Sequence, residues 1–197
     1  MCNLYTRRLR MEMADRIRNL VEVFKVANDD VIGNTARQIF NLNWKEGLSA
    51  RNQAHKILDE LALTHQIQKG NKFYAVKEYQ GEYKEHDRLV THCIAQFVLL
   101  KLPLTVYREV SFPIGIRSDI VALIGKNGKG ICAVVEVANN ETPEYFNQKM
   151  TAWKNWTQAP EYLSNLFGTP IPHFSIITEG ITHPLAVDFK SFLEEAK

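Results

Sequence analysis

The chain has 197 residues, 45% hydrophobic and 23% charged, with a formal net charge of +2. That is the make-up of one medium or two small soluble domains. No run of about 18 apolar residues is present, which excludes a transmembrane helix, and no apolar core follows Arg7, Arg8 and Arg10 as a secretory signal would require. The charge is nearly even along the chain: residues 1–82 hold 13 Lys and Arg against 10 Asp and Glu, and residues 83–197 hold 11 against 12. Any nucleic-acid face must therefore come from local clusters. Cys2, Cys93 and Cys132 are odd in number and scattered without metal-ligand spacing. They read as reduced thiols of a cytoplasmic protein, with Cys93 and Cys132 buried.

In chain order, Met11–Val26 places Ile17, Leu20, Val21 and Phe24 at the spacing of an amphipathic helix. Asn28-Asp29-Asp30 offers an N-cap to a second helix, in which Val31, Ile32, Thr35, Ala36, Ile39 and Phe40 face one core. Ser49 would cap a third helix, Ser49–Leu63, with Ala54, Ile57, Leu58 and Leu61 inward and Arg51, Asn52, His55 and Lys56 mostly outward. Lys69-Gly70-Asn71 then separates His65–Gln68 from Lys72–Val76 as a short hairpin. Three helices and a hairpin in that order predict a winged helix-turn-helix over residues 1–80. On such a module Arg51, Asn52 and Gln53 are candidates to read base edges. Lys56, Lys69 and Lys72 suit phosphate contacts. The bland alternative is a winged helix that serves only protein contacts.

Lys77–Glu85 is polar and reads as a linker. The second domain, residues 81–197, begins with an apolar helix, Asp87–Leu100, ended by Pro103. A strand at Thr105–Phe112 follows, then a hairpin of Ser118–Ile124 and Ile131–Val137 around an Asn-Gly turn at Asn127-Gly128. A helix at Pro143–Trp156, a buried strand at Ile171–Thr178 and a final helix at His183–Ala196 complete the order. Asp119 and Glu136 each sit in an apolar strand, where an unpaired carboxylate costs several kcal/mol. Brought together by the hairpin, they suggest a divalent-metal site. The alternatives are a partner for Asp119 in Arg108 or Arg117, and for Glu136 in Lys149. Glu109 could add a third carboxylate or lie exposed, and Glu141 and Glu144 read as acids in the first turn of a helix.

This pattern resembles the PD-(D/E)XK nuclease superfamily, with Arg117-Ser118-Asp119 where that family has Pro-Asp and Glu136-Val137-Ala138 where it has Glu-x-Lys. Ala138 departs from the pattern, and Lys149 on the following helix could supply the missing ammonium. The resemblance implies an αβββαβ nuclease-like core, which with the winged helix-turn-helix before it makes an α/β (α+β) protein. It assigns Asp119, Glu136 and Lys149 as catalytic residues, and Asp119 and Glu136 as ligands of Mg²⁺ or Mn²⁺.

A narrower likeness covers most of the chain. Thr35-Ala36-Arg37-Gln38-Ile39, His86, Glu136, Lys149 and Trp153 are similar to elements of the replication-relaxation proteins of plasmids and mobile elements. This implies binding to double-stranded element DNA, with metal-dependent phosphodiester hydrolysis as the leading expectation. A catalytically silent regulator of plasmid replication, mobilisation or transcription is the alternative. A homodimer using Phe146, Trp153 and Trp156 would suit palindromic DNA.

Overall fold

The computed structural model describes residues 2–80, 84–126, 129–138 and 141–196. It is a mixed α/β protein with seven helices and two sheets among the described residues. No helix among them is long and apolar enough to cross a membrane. The chain divides into two compact units, Met1–Leu99 and Leu100–Lys197.

In the first unit α1 (Cys2–Phe24) runs into β1 (Val26–Ala27), followed by α2 (Asp29–Ile39), α3 (Leu48–Leu63), β2 (Gln68–Gly70), β3 (Phe73–Ala75) and α4 (Glu85–Leu99). The periodic residues do what their spacing predicts: Ile17, Leu20, Val21 and Phe24 of α1, Ile32 and Ala36 of α2, and Ala54, Leu58 and Leu61 of α3 are all buried. Asn28 caps α2, its side chain accepting from the Val31 N–H at 2.8 Å. Gly33 lets α2 and α3 approach closely, since a Cβ there would lie 2.5 Å from the Ala50 carbonyl oxygen.

Several boundaries differ from the sequence reading. Val26 belongs to a strand, because β3 pairs with it antiparallel (Val26 with Ala75) and the chain leaves α1 at Lys25 with φ 63°. Ser49 lies inside α3, and the capping position falls on Gly47 at φ 71° without a side-chain cap. The hairpin is shorter than expected, pairing Gly70 with Phe73 across Asn71 and Lys72. α4, expected to open the second domain, clusters with the first unit and packs against α1, α2 and β1. Its buried Thr91 hydroxyl donates to the Val26 carbonyl at 2.8 Å, which ties the helix to that sheet.

The second unit contains β4 (Leu104–Ser111), β5 (Arg117–Lys126), β6 (Lys129–Val137), α5 (Pro143–Asn155), α6 (Ala159–Phe167), β7 (Phe174–Glu179), β8 (Val187–Asp188) and α7 (Phe189–Ala196). The sheet order is β4-β5-β6-β7-β8: β4, β5 and β6 form an antiparallel meander, while β6 to β7 and β7 to β8 are parallel. The Asn127-Gly128 turn lies outside the described residues, and the register pairs Lys126 with Lys129 on either side of it.

One sheet face, with Val121, Cys132 and Val134, packs on Phe146, Met150 and Trp153 of α5 and Leu163 of α6. α6 was not anticipated from sequence, and the last helix begins at Phe189, after the two-residue β8, instead of at His183. β6 occupies the centre of the sheet, so its Val134-Val135-Glu136-Val137 run is buried throughout. That position takes Glu136 out of water.

Candidate functional site

Glu136 sits near the end of β6 at 1% side-chain exposure. Its surroundings are supplied by two neighbouring elements. From β5, the Ser118 hydroxyl donates to Oε1 at 2.7 Å; from α5, the Trp153 indole N–H donates to the same oxygen at 3.0 Å. The Lys149 ammonium, 5% exposed, lies 2.5 Å from Oε2. Lys149 and Trp153 are four residues apart and therefore share one face of α5, which is how a single helix delivers both an ammonium and an indole donor to one carboxylate. Opposite Glu136 in the parallel ladder stands Thr178 of β7, buried, with no hydrogen-bond partner for its hydroxyl among the described residues.

Asp119 is half-buried at the start of β5, where regular pairing with β6 runs only as far as Ile120 and Val135. Beyond that pair the Asp119 carboxylate accepts the Val137 N–H at 2.7 Å, so a side chain takes the place of a ladder acceptor. The two acids are close enough to feel each other. Burial pushes the Glu136 carboxyl up to about 7 against the pull of Lys149 and Ser118, and the charge of Asp119 adds to the rise. Burial pulls Lys149 down, but Glu136, with Asp119 and Glu141 behind it, outweighs this and leaves the ammonium pKa above its ordinary value.

The remaining acids are placed differently from one another. Arg117 pairs with Glu109 at 2.5 Å on the exposed rim, which takes Glu109 away from the cluster. Glu109 itself breaks the β4 pattern with φ 53°, in the left-handed region. Glu144 does lie in the first turn of α5, whereas Glu141 precedes the Thr142 cap and lies 3.8 Å from the Lys149 ammonium. Phe146 and Trp153, considered as dimer surface, are core residues, and only Trp156 of the three is half-buried. Among the described residues no group of three His, Cys, Asp or Glu side chains is placed to hold a metal ion.

In the first unit, the predicted reader and phosphate residues fall into two sets. Asn52, Gln53, Lys56 and Lys72 are exposed, with Lys72 at the hairpin tip at φ 63°. Arg51 and Lys69 are already engaged. Arg51 Nε donates to Asp29 Oδ1 at 3.0 Å, and the Lys69 ammonium lies 2.8 Å from Asp59 Oδ1 and 5.8 Å from the centre of the Tyr74 ring.

Between these pairs lies His55, with Nδ1 3.1 Å from Asp29 and 3.0 Å from the Tyr74 hydroxyl, which itself donates to Asp59 at 2.5 Å. Asp59 is pulled up by burial, yet the bonds from Lys69 and Tyr74 and the charges of His55 and Lys69 hold it below the usual carboxylate range. The Tyr74 hydroxyl is raised by burial and by Asp59. The network borders a cleft of about 480 Å³ that is also lined by Asp30, Lys72 and Phe73.

Asp59 and Tyr74 were not singled out from sequence, and Asp29 only as part of the N-cap of α2. The i, i+4 spacing of His55 and Asp59 on α3 was the available signal; their contacts across to α2 and β3 carry no local one. Ser118 had a sequence neighbour in Asp119, but its bond to Glu136 depends on where β5 leaves its register.

Neither a model of a known protein family nor a curated protein sequence matches this chain.

Proposed function

We propose that the protein binds double-stranded DNA through its first unit, and that its second unit is a PD-(D/E)XK-like core that is catalytically silent as folded. Support for the DNA-binding reading comes from the order of three helices and a β-hairpin, with a polar outer face on α3 and lysines on the adjoining hairpin. Support for the nuclease-like reading comes from the antiparallel β4-β5-β6 meander, the α5–α6 crossover and the parallel β7, with Asp119, Glu136 and Lys149 drawn to one place. The setting of plasmid or mobile-element control, in the manner of replication-relaxation proteins, rests on the motif likeness alone.

The observation that carries the silent reading is the Glu136 environment. Hard divalent ions take about six oxygens, several of them from water. Here Oε1 is held by two neutral donors, and the place of a cation beside Oε2 is filled by an ammonium at 2.5 Å. Asp119 meanwhile spends an oxygen on the Val137 amide. As folded, these residues do not fit Mg²⁺ or Mn²⁺. One observation supports the hydrolytic reading: the charge of Asp119 is near enough to Glu136 to raise its carboxyl.

The test is direct. Fluorescence anisotropy with duplex DNA should show binding that weakens steeply with salt, and supercoiled plasmid in Mg²⁺ or Mn²⁺ should stay intact. Nicking that disappears in Glu136→Ala would replace the silent reading with the hydrolytic one. No binding at low salt would remove DNA as the partner.

A further inference from the structure

Of the three cations that line the cleft beside α3, Arg51, Lys69 and Lys72, the first two are occupied from within the chain. Arg51 is held by Asp29 from the start of α2, and Lys69 by Asp59 from α3 itself. The carboxylates are better anchored than the cations they hold. Asp29 is 13% exposed and braced by His55; Asp59 is 34% exposed and braced by the Tyr74 hydroxyl; Arg51 and Lys69 are each about half exposed. An acid with a second partner differs from an ordinary surface pair, because its other bond remains when the base is drawn away.

We propose that Asp29 and Asp59 act as internal counter-ions that set the strength and salt dependence of DNA binding, each having to surrender its cation before a backbone phosphate can pair with it. This deepens the proposed function and rests on reading α3 and the β2–β3 hairpin as the DNA face. In the free protein Arg51 and Lys69 are already neutralised, so they contribute little to counter-ion release on the DNA. Binding leans instead on Lys56 and Lys72, which have no such partner among the described residues. Exposed ion pairs are weak enough for a phosphate to break, but each carboxylate left behind faces the incoming strand and opposes it.

The experiment measures affinity for a fluorescent mixed-sequence duplex across a salt series for wild type, Asp59→Asn and Asp29→Asn. Asparagine keeps an oxygen that can accept from Tyr74, and thermal unfolding confirms that each variant is folded. Each variant should bind about tenfold tighter at low salt, with a salt slope steeper by about one, the increment for one additional phosphate neutralised. The Asp59→Asn gain should vanish in Asp59→Asn/Lys69→Ala. Unchanged affinity and slope in both variants, or a gain that survives Lys69→Ala, overturns the proposal while leaving DNA binding intact. If neither wild type nor any variant binds at low salt, the DNA-face reading itself fails and the proposal falls with it.

Discussion

Lys149 and Glu136 are a buried pair in which each partner makes the other tolerable. Removing one leaves an uncompensated charge in the core, at a cost of about 3–5 kcal/mol, whereas removing both leaves only a packing adjustment. Lys149→Met should therefore be strongly destabilised in urea unfolding, and Glu136→Met/Lys149→Met should recover most of the loss. An unchanged single variant would mean that the pair contributes nothing. The pH dependence follows from the same burial. A carboxyl raised to about 7 in the folded protein binds its proton more tightly there than in the unfolded chain, where its ordinary value is 4.5. Its contribution to stability is full below that unfolded value and is lost as pH rises through the folded one. Unfolding free energies at pH 5 and pH 8 should thus differ more for wild type than for Glu136→Gln, with wild type weaker at pH 8. Lys149, also raised, contributes stability that persists through neutrality and is lost only in the alkaline range. From sequence, the acids were legible because charge in an apolar strand is conspicuous, and Lys149 through the resemblance that lacked a lysine at Ala138. The donor roles of Ser118 and Trp153 were not, since neither bond to Glu136 exists until β5 and α5 are packed.

At the scale of elements, the tightest joint in the first unit is the crossing of α2 and α3. Gly33→Ala would drive a methyl group to 2.5 Å from the Ala50 carbonyl, with further contacts at 2.7 and 3.0 Å to backbone atoms. The helices would have to separate, for a loss of about 1–3 kcal/mol, measurable as a lower midpoint in thermal unfolding. A midpoint equal to wild type would show that the crossing has slack. Long periodic helices such as α2 and α3 were readable from their apolar spacing. Short elements were not: β1 and β8 have two residues each, α6 has nine, and their existence depends on partners far along the chain. β1 is the clearest case, because Val26 fits either the end of a helix or a strand, and pairing with Ala75 decides it.

For the whole molecule, the division of the chain matters more than the number of domains. Composition suggested a boundary in the polar stretch after the hairpin, and the packing of α4 moves it to Leu99. Apolar periodicity shows that a helix has a face to bury but not against which neighbour, which is why this one was assigned forward. A fragment of residues 1–99 should give a cooperative unfolding transition. A fragment of residues 1–80 lacks the Thr91 bond to Val26 and the α4 packing, and should show dispersed helical signal without cooperativity. Equal cooperativity of the two would return α4 to the second unit.

The first parallel step of the sheet, between β6 and β7, depends on a longer connection than the antiparallel steps before it. The β4-β5-β6 meander can zip up as soon as it leaves the ribosome, whereas β7 has to wait for α5 and α6 to carry the chain back. In that interval β6 is a bare edge rich in valine, the kind of edge on which neighbouring chains add strands, and Glu136 is the one charge on its Val134–Val137 stretch. A charge at that point of a bare strand opposes the addition of neighbouring chains until the sheet is complete.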